Sequence, residues 1–268
     1  MSELMSVADD ILTPYITKLS DGDFKRGLIA ASERRAKRIA EVGYEQYRAE
    51  YEAESKCRLN EAQIKSNAEQ SLRILEHSGL GKKFFNRTFN TFEVKPENER
   101  AWEACCDIAN GKRTKGVLIA GPNGVGKTHL AAAVVLALAK KGRKVTFRNM
   151  VDLVADYKDG MFNNAGTERV IAKVLDCDLL VLDDMGAEYS KSDSNWVNEM
   201  LYKIVNRAYE DNKTLIITTN LSDLDFTNRY NQRTTSRIYE MTERIDYSDE
   251  DHRLGFLPSD EPTPFDKL

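Results

Sequence analysis

A chain of 268 residues, 41% hydrophobic and 31% charged, has room for one large α/β domain plus a smaller module and the composition of a soluble, highly charged protein. Its formal charge of −4 argues against a surface coated in nucleic acid by bulk electrostatics, while leaving room for a local basic channel. No apolar run reaches membrane-spanning length, Met1-Ser2-Glu3-Leu4-Met5 shows no secretory signal, and Cys57, Cys105, Cys106 and Cys177 form no C-x-x-C pair; a cytoplasmic location with no membrane and no zinc is expected.

Residues 1–20 are mixed, with Pro14 interrupting them, and Asp21-Gly22-Asp23 reads as a turn or cap. From residue 24 to 76 there is no proline, and Glu, Arg, Lys, Ala and Gln dominate, which favours helix. Asn60-Glu61-Ala62-Gln63 has capping-box spacing and predicts that one helix stops near Arg58 and another begins there. Ile64, Leu72 and Leu75 lie on a rough helical stripe. So polar a segment reads either as a solvated helical arm or as a module for docking a partner. Ser78-Gly79-Leu80-Gly81 closes it as a helix end and turn. The segment from Lys82 to Phe92 is rich in aromatic and basic residues, which either seal the entry to the next domain or line a base or nucleic acid.

A helix over residues 97–108 precedes the apolar strand Val117-Leu118-Ile119-Ala120. Then comes Gly121-Pro122-Asn123-Gly124-Val125-Gly126-Lys127-Thr128, followed by His129 and the apolar helix from Leu130 to Ala139. This is G-x-x-x-x-G-K-[ST] between a strand and a helix, the setting in which it forms a phosphate-binding loop. Glycines let successive backbone N–H groups turn toward phosphate oxygens, and the helix N-terminus adds its positive dipole end. Lys127 is expected to reach the β/γ-phosphates of ATP, and the Thr128 hydroxyl to ligate Mg²⁺.

The pattern continues with a strand at 144–148, a helix at 151–157, an Asn-rich loop at 160–166 and a helix at 168–175. Asp178-Leu179-Leu180-Val181-Leu182-Asp183-Asp184 is an unbroken apolar strand that ends in two carboxylates. Asp183 stands where a phosphate-loop enzyme keeps its Mg²⁺-side carboxylate, and Asp184 is the candidate general base for the attacking water. A helix at 195–212, carrying Trp196, Met200, Leu201, Ile204 and Val205 on one side, leads to a strand at 214–220. Asn220 ends that strand, where a neutral amide can hold the attacking water. A short helix at 234–241, a strand at 242–247 and an acidic, proline-containing tail complete the chain. Strands alternating with helices predict a doubly wound α/β domain.

These motifs, with Thr218-Thr219-Asn220-Leu221-Ser222, Ser236-Arg237-Ile238-Tyr239-Glu240-Met241 and the entry segments 75–80 and 85–92, resemble AAA+ ATPases, and among them the DnaC/DnaI-type replicative helicase loaders. The resemblance covers roughly residues 70–255. It implies a five-stranded parallel sheet with the phosphate-loop strand near its centre, preceded by a small helical module. The implied organisation is a helicase-binding module at 1–80, an ATPase domain at 81–255 and a flexible tail at 256–268. By position, Asn220 resembles the sensor-1 residue, Arg237 the arginine finger acting on a neighbouring subunit (with Arg233 as fallback), and Arg253 the sensor-2 arginine. Implied partners are a replicative hexameric helicase, single-stranded DNA and further copies of the chain in an ATP-dependent spiral. Tyr157, Lys158, Phe162, Tyr189 and Lys191 are the candidate DNA contacts. The sequence departs from DnaI-like relatives in lacking their cysteine-rich zinc module, and the second Walker-B acid is Asp184 where AAA+ enzymes usually have Glu. IstB-type transposition ATPases share the nucleotide site and are the main rival. A small-molecule kinase would need an arginine-rich lid and a second pocket, neither of which is visible, and a non-catalytic ATP switch would follow if Asp184 were too short to work.

Overall fold

The computed structural model describes residues 22–162, 166–188 and 194–247. The acidic tail, Tyr189, Lys191 and Arg253 lie outside them. The chain divides into two units, Met1–Ser66 and Asn67–Leu268.

The described residues of the first unit are helical. Helix α1 (Gly22–Val42) and helix α2 (Tyr44–Ser78) meet at Gly43, whose φ of 85° belongs to the left-handed region that a residue with a Cβ rarely adopts. The turn brings the Arg38 guanidinium to both carboxylate oxygens of Glu50 and the Arg35 Nε to the Tyr47 hydroxyl at 3.1 Å. The expected break at residues 58–60 does not occur. α2 runs through it, because an Asn–Gln pair at capping distance is tolerated mid-helix when nothing else interrupts a run of good helix formers. The predicted apolar stripe is also not a buried one: Ile64 and Leu72 are exposed, and only Leu75 is covered. Among residues 22–66 whose exposure is described, none is buried.

The second unit is a three-layer sandwich. Its elements after α2 are α3 (Glu99–Ala109), β1 (Gly116–Ala120), α4 (Lys127–Lys140), β2 (Val145–Asn149), α5 (Met150–Phe162), α6 (Thr167–Leu175), β3 (Leu179–Met185), α7 (Ser194–Glu210), β4 (Thr214–Thr219), α8 (Asp223–Arg229), α9 (Gln232–Met241) and β5 (Thr242–Asp246). The five strands pair in parallel in the order β2-β3-β4-β1-β5, so the phosphate-loop strand is flanked on both sides and lies next to the edge. Alternate residues of the apolar strands feed two cores. Val117, Ile119, Leu179, Val181 and Ile216 face α3 and α4, while Leu118, Ala120, Leu180, Leu182, Leu215 and Ile217 face α5, α6, α7 and α9. Cover on both faces is why these strands read as continuous apolar runs.

Most boundaries agree with the sequence reading to within two residues. Two elements differ. α5 continues through Gly160 to Phe162, where a loop was expected, because the Gly160 backbone lies close against Val170 of α6 and is buried there. Helix α8 was not anticipated; the Ser222 side chain caps it by accepting from the Asp225 N–H at 3.1 Å.

Candidate nucleotide site

The loop between β1 and α4 is built from positive-φ glycines, among them Gly126 at φ 96°, which caps α4. A Cβ on Gly126 would also come within 2.9 Å of the Phe92 ring, so this position is closed to other residues on two counts. Beside the loop lies a cavity of about 670 Å³ lined by Asn123, Gly124, Val125, Gly126, Lys127, Thr128 and His129, by Asp184, and by Phe84, Arg87, Thr91, Phe92, Glu93 and Asn98 of the entry segment. The aromatic segment seals the entry to the domain, one of the two roles the sequence left open. Phe84, Phe85, Phe89 and Phe92 pack on the core, and Phe84 and Phe92 also wall the cavity.

Lys127 is 6% exposed, and its ammonium donates to the carbonyls of Gly121 at 2.8 Å and Pro122 at 2.6 Å. His129 ties the entry segment to the first turn of α4. Its Nε2 lies 3.0 Å from the Thr88 carbonyl and 3.3 Å from the Thr91 hydroxyl, and its ring meets Phe92 edge-on. Burial pushes the His129 imidazole below its ordinary range, partly offset by the hydrogen bond to Thr88, so the neutral form is favoured.

The two carboxylates occupy different environments although they are adjacent. Asp183 is 4% exposed; one oxygen accepts from the Thr128 hydroxyl at 3.0 Å and from the Thr218 hydroxyl at 2.7 Å. Burial raises its pKa, and the two hydroxyl hydrogen bonds act against that rise. Asp184 opens instead onto the cavity. The device is a break in the β3–β4 pairing between Leu182 and Met185, together with φ 61° at Asp184, which turns the second side chain out of strict alternation. The strand does not end at Asp184, as the sequence suggested; it bulges there and continues to Met185.

Thr218 holds this geometry. The Asp184 N–H donates to its hydroxyl at 2.8 Å, and the hydroxyl donates on to Asp183. Thr219 makes the matching contact one residue later, donating to the Met185 carbonyl at 2.6 Å. Both threonines belong to the segment that carried the family resemblance, but neither was given a role from sequence, and β propensity alone would explain both there. Thr218→Val keeps the shape and removes the bridge. It is expected to lower stability by about 1–3 kcal/mol in urea unfolding, the cost of a buried polar group left without its partner; a change below a few tenths would show that the bridge does not hold the bulge.

Asn220 is exposed immediately after β4 and is not among the residues lining the cavity. Arg237 and Arg233 lie on α9 away from the cavity, with the Arg237 guanidinium 4.2 Å from the Tyr209 ring centre. Tyr157 is not a surface residue. It is 3% exposed and stacks on Trp196, so it is removed from the DNA-contact candidates. Phe162, by contrast, is 80% exposed, and Lys158 is exposed.

The donors present fit a Mg²⁺–nucleotide complex. A hydroxyl and a carboxylate oxygen 3.0 Å apart, beside a glycine-lined cradle, are the hard oxygen ligands this cation takes, and the loop N–H groups suit the phosphates.

Residues 87–237 match the IstB-like ATP binding protein family. The chain is 27% identical over 167 residues to the replicative helicase loader DnaC of Buchnera aphidicola, covering 60% of this chain and 65% of that protein. It is 29% identical over 168 residues to an ATP-binding protein of insertion sequence IS5376 from Geobacillus stearothermophilus, covering 62% of this chain and 64% of that one. The chromosomal replication initiator DnaA of Campylobacter jejuni subsp. doylei is 30% identical over 136 residues, which span 49% of this chain and only 30% of DnaA. Among solved structures, the crystal structure of the DnaC helicase loader superposes with a TM-score of 0.55 at 29% identity, covering 62% of this chain and 99% of that one. DnaA bound to AMPPCP and single-stranded DNA shares the fold, with a TM-score of 0.56 at 21% identity. The five-stranded order, the phosphate loop and these similarities agree: the chain belongs to the IstB-like ATP-binding protein family, and its second unit is an AAA+ domain of the DnaC-like kind.

Proposed function

We propose that the chain hydrolyses ATP and uses the cycle to load a replicative helicase onto single-stranded DNA. In this reading Lys127 leaves the carbonyls of Gly121 and Pro122 for the phosphate oxygens, and the loop N–H groups orient them. Thr128 and Asp183 would hold Mg²⁺, which when bound neutralises charge on the β- and γ-phosphates. Asp184 takes the proton of the attacking water, Asn220 orients that water, Arg237 completes the site from a neighbouring subunit, and Arg253 contacts the nucleotide as sensor 2. The placement of Asp184 at a left-handed bulge, facing the phosphate loop, supports hydrolysis over mere nucleotide binding.

The observation that carries the loader reading is the match to the DnaC helicase loader along 99% of that structure at 29% identity. Residues 1–80, polar and helical over the described stretch 22–78, would hold the helicase, while Lys158, Phe162, Tyr189 and Lys191 would contact single-stranded DNA. The relative from insertion sequence IS5376, at 29% identity, supports a second reading as a transposition helper.

Pull-down of the full chain from its own cell extract with ATP present tests the two. A hexameric replicative helicase should be retained and a transposase should not, and deletion of residues 1–66, the first unit, should lower helicase retention at least tenfold. Undiminished retention by the truncated chain would overturn the domain assignment, and capture of transposase alone would favour the helper. Turnover stimulated by single-stranded DNA is expected; normal ATP binding without turnover would mark a nucleotide switch instead.

A further inference from the structure

The face that carries Arg237 is built of aromatic and charged side chains from two packed helices. Tyr202, Gln232, Arg233, Ser236, Arg237 and Glu240 line a cavity of about 480 Å³ between α7 and α9. The Arg237 guanidinium lies over the Tyr209 ring at 4.2 Å. The ring is itself anchored, because the Tyr209 hydroxyl donates to Glu240 at 2.7 Å, and Glu240 lies three residues, about one turn, after Arg237 on α9. Arg233, one turn earlier, is exposed on the same wall.

We infer that Tyr209 is a positioning residue for Arg237, holding its guanidinium ready for the γ-phosphate bound by an adjacent copy of the chain. The inference rests on the reading of Arg237 as the finger and deepens it. A cation–π contact suits the task because it holds the guanidinium against the ring without committing its N–H fork to a carboxylate. An ion pair with a carboxylate would occupy that fork. A held arginine also loses less side-chain entropy on engaging its target, which favours the transition state when the target arrives from outside. Arg237, and not Arg233, therefore has the preorganisation a finger requires. Glu240 acts one step further back, fixing the plane of the ring by its bond to the phenol.

The test uses the full-length chain under assembly conditions, measuring ATP turnover, binding of a non-hydrolysable ATP analogue and melting temperature. Arg237→Ala should lower turnover by about 10³-fold or more. Tyr209→Leu should lower it about 5- to 10-fold, the size of a partly exposed cation–π contact, while Tyr209→Phe, which keeps the ring, stays within about twofold of the parent. Analogue binding should be unchanged in both Tyr209 variants, since Tyr209 lies outside the nucleotide cavity of its own subunit. The decisive comparison is Tyr209→Leu in the Arg237→Ala background, where it should have no further effect. An equal loss in both backgrounds, or parent-like turnover in Tyr209→Leu, would overturn the positioning role while leaving the finger reading intact. If Arg237→Ala itself turns over normally, the finger reading fails and the inference fails with it. Tyr209 is half-buried on α7; should Tyr209→Leu melt early, Tyr209→Gln repeats the truncation with a polar side chain.

Discussion

Lys127→Ala is expected to reduce ATP turnover by at least about 10²-fold, the usual cost of removing one preorganised donor to developing phosphate charge, and to weaken binding of a fluorescent ATP analogue in parallel. The ammonium already lies within the loop, at 2.8 and 2.6 Å from two loop carbonyls, so it reaches the phosphates by side-chain rotation without a change of fold. Gly121 is half-buried and Pro122 exposed, so water can take the place of the ammonium, and the melting temperature of the ligand-free variant should stay close to that of the parent. Stabilisation by nucleotide should largely disappear, because a ligand stabilises the folded chain only when its concentration exceeds its Kd. Parent-like turnover in Lys127→Ala would place the chemistry somewhere other than the 121–128 loop.

Asp184→Asn should separate binding from hydrolysis. Turnover is expected to fall by about 10²- to 10⁴-fold, the range for loss of a general base, with ATP-analogue affinity within a factor of about three of the parent. The substitution is well matched to the backbone, since Asn tolerates the left-handed region that Asp184 occupies at φ 61°. The N–H to Thr218 survives, as do the bonds of Asp183 to Thr128 and Thr218. Any loss of turnover is therefore assigned to the missing carboxylate and not to collapse of the bulge. Turnover within a few-fold of the parent would remove Asp184 from the base role. The contrast with Thr218→Val is informative: that change should act on stability first, this one on rate first.

Legibility from sequence followed the range of the interaction that decides each feature. The phosphate loop was readable because its requirements are local: glycines at fixed spacing, a strand before and a helix after. The sheet was readable because burial on both faces demands continuous apolar strands, which stand out against a highly charged background. Helix interruption was less so. The Asn60–Gln63 pattern looked like a start signal, yet a cap has meaning only where the chain already leaves the helix, and the departure occurs at Gly43. Tyr157 illustrates another limit. An aromatic beside a lysine on a helix after the second strand has two faces available, and the packing of Trp196 from α7 decided that this one is core.

The amino-acid sequence by itself pointed to a nucleoside triphosphate site, to the residues of its loop, and to two carboxylates at the end of another buried strand. Only the tertiary structure decided how those carboxylates divide. The β3–β4 register shift, the Thr218 hydroxyl from a strand some 35 positions away and the left-handed backbone of Asp184 turn one acid inward and the other toward the cavity. It likewise decided that Arg237 rests on Tyr209 of α7, outside the cavity of its own chain. The physical reason is common to both. Strand pairing and helix packing join residues far apart in sequence, and no local spacing or periodicity encodes which distant side chain will meet which.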